Sequence, residues 1–265
     1  MPGKTELPVF GTIQAELGED HVLTVTLDRP DKLNAFNQQM LDDFAALWRY
    51  ASLEDAVHVV VLRAAGERAF CTGVDVVEGI DRQDNPFQDT DPGTSLSPKL
   101  NRCWKPLVCA VHGMAAGGAL YWLNEADIII ASDDATFFDP HTTYGMVAAL
   151  EPIGLVRRIP IGEVLRMVLL GNDERMSARR AHEIGFVSEV VERDRLWARA
   201  HELAALIAAK PPAAVQGSIK AVWESLDAGR SQALATGLAY TQIGNPVGTA
   251  QVDRAAHKGR RYEVR

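Results

Sequence analysis

The sequence predicts an α/β protein with a helical C-terminal third, on three observations. Continuous apolar runs, of the kind buried on both faces of a sheet, recur at residues 57–64, Leu107–Val111 and 127–131. Two of these runs are followed by small-residue turns that open helices, Phe70-Cys71-Thr72-Gly73-Val74-Asp75 and Ala115-Ala116-Gly117-Gly118-Ala119. From Glu151 onward the apolar pattern is helical. Such a staircase suits a stacked spiral of strands and helices at least as well as a doubly wound sheet.

The first elements are strands at 12–16, 22–27 and 57–64. Between the last two lies a helix carrying Met40, Leu41, Phe44, Leu47, Trp48 and Ala51 on one face. Strand, crossover helix and parallel strand make a right-handed unit. Strands at 107–111 and 127–131 follow, joined by a helix at 118–125. Residues 81–97 are polar and rich in Asp, Asn and Pro, and read as a long flexible loop. Later helices are expected at 163–170, 178–184, 194–209, 212–226, 232–243 and 247–258. Ser177 is a suitable N-cap, Pro211 a helix-start signal, and Gly171 and Gly229 stop signals. No internal repeat or low-complexity stretch interrupts the chain.

A chain of 265 residues can bury one full core. Its 47% hydrophobic and 23% charged residues are ordinary for a globular protein. A net charge of −8 argues against nucleic acid, which needs clustered Lys and Arg. The start Met1-Pro2-Gly3-Lys4 has no apolar leader, and no run reaches membrane-spanning length, so a cytoplasmic protein without a membrane partner is expected. Cys71, Cys103 and Cys109 form no paired spacing. Cys71 borders the first turn, yet a thiol on an apolar strand end behaves as a small hydrophobe.

The two turns carry the functional expectation. Backbone N–H groups at a helix start favour an anion. Side by side, the turns would offer the amides of Val74 and Gly118 to one developing oxyanion. No metal-ligand spacing is present, Gly117-Gly118 lacks the Lys-Ser/Thr of a phosphate loop, and no dinucleotide fingerprint follows the first strand. His58 reads as a strand residue facing a second layer or solvent, and His112 as a hydrogen-bond partner of its own turn.

With those turns, the stretches Leu27-Asp28-Arg29-Pro30-Asp31-Lys32-Leu33-Asn34-Ala35-Phe36, Lys105-Pro106, residues 171–177 (GNDERMS) and residues 181–188 (AHEIGFVS) make the chain resemble the enoyl-CoA hydratase/isomerase (crotonase) superfamily over roughly residues 10–260. The resemblance implies a stacked ββα spiral of the crotonase (ClpP-like) type. Residues 1–200 would form the spiral core and 201–265 a helical trimerisation region, giving a homotrimer or a hexamer of two trimers. It also implies an acyl-CoA thioester as substrate, with coenzyme A as part of it and no other cofactor. CoA would lie against Lys32, Leu33, Thr72, Asp75 and Lys258, and the loop at 81–97 would border the acyl end.

The two glutamates usual in hydratases of this family fall, position by position, on Tyr121 and His141. A phenol with a reference pKa near 10 is a poor base but a good donor, whereas histidine titrates near 6.5. His141 is therefore the candidate proton shuttle and Tyr121 a donor or orienter. The competing reading is that both rings fill an apolar-lined site. Asp139 is placed to orient His141, Glu151 is a third candidate acid, and Asp75 is expected to brace its loop. Hydration, isomerisation, thioester hydrolysis, decarboxylation and non-catalytic acyl-CoA binding all remain open at this point.

Overall fold

Hydrophobic strands too apolar to face water on either side dominate the architecture. The protein is seen here as a computed structural model, which describes residues 6–81, 87, 90–252, 262 and 264. Strand β1 (Ile13–Leu17) pairs antiparallel with β2 (Val22–Leu27). Helix α1 (Gln38–Leu53) then crosses to β3 (Val59–Ala64), which lies parallel to β2. Asn37 caps α1 by accepting from Met40 N at 3.1 Å. The expected apolar face, Met40 through Ala51, is buried. Asp43 shares that face because its Oδ2 accepts from Gly11 N, Thr12 N and Thr12 Oγ1.

Each later turn of the chain adds one long strand and one short one. Strand β4 (Ala69–Cys71) follows β3; β5 (Leu107–Val111) leads to β6 (Met114–Ala116) and helix α2 (Leu120–Glu125); β7 (Ile128–Ser132) leads to β8 (Thr136–Phe138). Helices α3 (Leu150–Leu155) and α4 (Ile161–Leu170) precede β9 (Met176–Ser177), α5 (Ala178–Glu183) and β10 (Glu189–Val191). The long strands form a six-stranded sheet in the order β1-β2-β3-β5-β7-β10, and the short ones a four-stranded sheet, β4-β6-β8-β9. This is the stacked ββα spiral, not a doubly wound sheet. The four short strands were not expected from the sequence, because two or three residues show no measurable alternation.

Helix α6 (Leu196–Ala208) lays Leu196, Ala200, Ala204 and Ala208 on the long sheet, against Val59, Val61, Val108 and Ile130. Helices α7 (Pro212–Ser225) and α8 (Arg230–Ala250) pack on each other beyond it. Trp223 Nε1 ties them to the core by donating to Asp127 Oδ1 at 2.7 Å. Among the described residues no helix is long and apolar enough to cross a membrane.

Several local expectations need correction. The helices expected at 232–243 and 247–258 are one helix that runs through Pro246, whose missing N–H falls near its end; residues 253–258 lie outside the described residues. Gly229 does not stop α7, which ends at Ser225, but is the extended N-cap of α8. Ser177 and Gly171 cap as expected. His58 sits just ahead of β3, stacked on His21 with ring centroids 4.1 Å apart, its Nδ1 2.9 Å from Ala208 O. His112 is fully buried with neither ring nitrogen in hydrogen-bonding geometry, so it does not bond its turn as expected. Of the long loop, residues 92–96 form a tight 3-10 turn, anchored where Trp48 Nε1 donates to Leu96 O.

Candidate active site

The first donor turn is shaped by the exit of β2. Buried Asn34 donates to Ala65 O and Ala69 O and accepts from Arg29 N, which fixes the chain beside β4. Phe36 then bridges the turn: its N–H donates to Gly73 O and its carbonyl accepts from Asp75 N, at 2.9 and 2.8 Å. Because extended residues alternate, the Val74 N–H between those bonds points the other way. Gly73 has φ +90°, a conformation that favours glycine.

The second turn presses against the first. Gly117 has φ +51°, and Gly118 is the second residue of a 3-10 turn, a position whose N–H lies outside the turn's own bonds. A Cβ on Gly73 would lie 3.3 Å from Gly118 N. A Cβ on Gly118 would overlap the Phe36 ring and come within 3.6 Å of Gly73 Cα. Gly118 is therefore required by close approach and Gly73 by its φ, and the turns expected to act together are in contact.

A cleft of about 1280 Å³ opens over this contact. Its walls include Lys32, Thr72, Val74, Asp75, Gly118 and Tyr121, and also His141 and Glu151. Leu33 is not one of the walls; its carbonyl lies behind Thr72, whose Oγ1 is 3.5 Å away. Lys258 lies outside the described residues. The Asp75 carboxylate faces inward, accepting from Val77 N, Glu78 N and Arg29 Nη2. Burial pushes its pKa up, but those amides and the guanidinium outweigh burial and hold it below the ordinary carboxylate value. Asp75 is a brace. The Cys71 thiol is buried and pushed up to about 12 by burial, so it stays protonated and inert at neutral pH.

Beyond β8 the chain turns at Pro140 into a 3-10 turn, His141–Tyr144, so strand alternation no longer applies. His141 Nδ1 lies 2.6 Å from Asp139 Oδ1, which also accepts from His141 N at 3.0 Å. Asp139 is fully buried. With Nδ1–H given to Asp139, Nε2 faces Glu151 Oε1 at 3.8 Å. The hydrogen bond to Asp139 is the main reason the His141 pKa is raised above its ordinary value, against the lowering effect of burial. Burial also raises Glu151, a residue in the first turn of α3 whose carbonyl accepts from Asn124 Nδ2 at 2.8 Å. A Cβ on Gly117 would lie 3.7 Å from His141 Cε1, which sets the imidazole beside the second turn.

Tyr121 projects from α2 into the same space, and its hydroxyl donates to Asp91. Burial, then the charges of Glu151 and Asp91, raises its pKa, so the phenol keeps its proton. That proton is committed to Asp91; the lone pairs of the oxygen are what remain for a partner. Asp91 joins the candidate site through this bond, and the sequence reading did not single it out. The signal was the Asp91-Pro92-Gly93 turn within a polar loop. Gly93 belongs to the same arrangement, since a Cβ there would come within 2.6 Å of the Tyr121 ring.

Comparison with known proteins agrees with the geometry. The family model for enoyl-CoA hydratase/isomerase matches residues 18–255. The chain is 32% identical over 230 residues to (E)-benzylidenesuccinyl-CoA hydratase of Thauera aromatica, covering 84% of this chain and 86% of that one. It is 31% identical over 205 residues to 1,2-epoxyphenylacetyl-CoA isomerase of Escherichia coli, covering 73% and 75%. The crystal structure of an enoyl-CoA hydratase/isomerase from Mycobacterium paratuberculosis superposes with a TM-score of 0.81 at 37% identity, covering 94% and 93% of the two chains. With the model match spanning most of the sequence and a relative above 30% identity covered nearly end to end, the chain belongs to the enoyl-CoA hydratase/isomerase family of the crotonase superfamily.

Proposed function

We propose that this protein is an acyl-CoA enzyme that stabilises a thioester enolate between the amides of Val74 and Gly118, with His141 and Glu151 moving protons. The observation that supports this most is the contact of the two turns under a cleft that also holds the Asp139–His141–Glu151 array. The thioester oxygen would accept from both amides, and one such donor is typically worth about 3 kcal/mol in the transition state. In hydration, neutral His141 takes a proton from water at Nε2 while its oxygen adds to the β-carbon. Asp139 stabilises the imidazolium formed. The electron pair of the double bond passes to the thioester oxygen as the enolate. Glu151, whose pKa burial raises, then serves as the acid that delivers a proton to the α-carbon, and the pair returns to its starting state by exchanging one proton. Isomerisation uses the same groups: one removes a proton from the chain and returns it at another carbon.

Both relatives named above act on CoA thioesters, one as a hydratase and one as an isomerase. Coenzyme A would run along Lys32 and Thr72 with Asp75 holding the turn beneath it. Tyr121, whose proton is given to Asp91, orients the acyl group rather than reacting. Calorimetry with crotonyl-CoA should therefore show binding without added metal or nucleotide, and turnover in Tyr121→Phe should fall less than tenfold. Well-folded protein without affinity for any CoA ester would overturn the proposal.

Assembly follows from the C-terminal helices. Val222, Leu234, Leu238 and Ile243 are each at least 59% exposed on α7 and α8, more apolar surface than a helical arm leaves in water. A homotrimer or a hexamer of two trimers would cover it. Sedimentation at micromolar concentration should give one of these; a stable 28.9 kDa monomer would rule both out.

A further inference from the structure

Arg175 lines the cleft and has no role in the thioester chemistry. The residue precedes β9, which pairs antiparallel with β8 in the register Thr136↔Ser177 and Phe137↔Met176. One step further along that register sets Arg175 opposite Phe138, on the same face. Its guanidinium lies over the Phe138 ring, 4.3 Å from the centroid. An aromatic face holds a cation in place without neutralising it. Two nearby arginines are paired instead: Arg166 with Glu174, and Arg180 with Glu163 and Glu183. Among the described residues Arg175 has no carboxylate partner. Asn172 and Tyr144 line the same part of the cleft, the amide donating to the phenolic oxygen at 3.3 Å.

The strand order says which end of a substrate would reach this charge. Thr72 follows β4 at one edge of the short sheet, Gly117 follows β6, and Arg175 flanks β9 at the other edge. With strands roughly 4.8 Å apart, Arg175 lies on the order of 14 Å across the sheet from the Thr72 edge and about 10 Å from the second donor turn. A CoA moiety against Lys32 and Thr72 leaves its phosphates at the opposite edge. The acyl chain, held by its carbonyl between the edges, is what extends toward Arg175.

On the thioester reading above, we propose that Arg175 receives a carboxylate at the far end of the acyl chain, so that the preferred substrates are CoA monothioesters of dicarboxylic acids. Arginine matches a carboxylate with two parallel N–H donors, and the Phe138 ring keeps the fork oriented. The test is calorimetry with glutaryl-, adipyl- and suberyl-CoA, each against the neutral ester of equal carbon count, and with free CoA. Wild-type protein should bind at least one acid-ended ester about tenfold more tightly than its neutral counterpart. In Arg175→Gln that ratio should fall to about one, and Arg175→Lys, which keeps the charge but not the fork, should give an intermediate ratio. Circular dichroism checks that the variants fold. A ratio near one in the wild type overturns the inference and leaves the thioester reading standing. So does a loss in Arg175→Gln shared equally by acid-ended esters, neutral esters and free CoA, which would assign Arg175 to a CoA phosphate. Absence of binding by every CoA ester overturns both.

Discussion

Turnover of His141→Ala should fall by about 10²–10⁴-fold with whichever acyl-CoA the protein uses, because the variant removes the group that accepts the proton. The pH profile carries the sharper information. Asp139 raises the His141 pKa, and neutral histidine is the reactive form, so kcat/KM of the wild type should rise with pH along a limb lying above the ordinary histidine value. In Asp139→Asn the cause of the shift is gone, and the limb should move to lower pH while kcat falls through lost orientation. A limb that stays in place in Asp139→Asn would separate it from His141. His141 Nε2 and Glu151 face each other at 3.8 Å, so a change at one is expected to shift the titration of the other. Glu151→Gln removes the proton donor and should lower kcat by a comparable factor. If activity survives His141→Ala but not Glu151→Gln, the carboxylate alone carries the proton.

Gly118→Pro should lower turnover by about 100-fold or more, since it deletes one of the two donors outright. Gly118→Ala is the more instructive change. It keeps the N–H, yet its Cβ would meet the ring of Phe36, a residue whose main chain is hydrogen-bonded to the first turn at Gly73 and Asp75. The buried Phe36 ring has little room to yield, so relief of the overlap is expected to shift the turns relative to each other, and kcat should drop while CoA-ester affinity changes less. Single-turnover rates and binding measured on the same preparation check this split. A Gly118→Ala enzyme with an unchanged single-turnover rate would remove Gly118 from the donor pair.

The parts of the fold that were legible in the sequence are those long enough to show a period. Strands Val22–Leu27 and Leu107–Val111 and the buried face of α1 fall where their apolar pattern put them. The short strands β4, β6, β8 and β9 were not legible, because their residues are assigned by the sheet they join and not by their own pattern. In the candidate site the two donor turns stood out through their glycines, and His141 through its place after Pro140, where the family resemblance puts a glutamate. Asp91 did not, since its role depends on Tyr121, thirty positions away, turning toward it across Gly93. Arg175 was hidden for a similar reason: only the β8–β9 pairing shows that it shares a wall with Phe138.

On the proposed reading, the oxygen-binding part of this cleft is written in main-chain atoms, while the part that moves protons and orients the acyl group is written in side chains carried by three separate segments: α2, which only orients, the turn after Pro140, and α3. These two inventories can change independently. The side chains at 121, 141 and 151 make none of the main-chain bonds that hold the turns, whereas the turns meet through Gly73 and Gly118, where an added side chain would press on both. One unchanging electrophile-activating platform can therefore serve several reactions, each defined by three interchangeable positions, and new chemistry on this scaffold needs no new backbone.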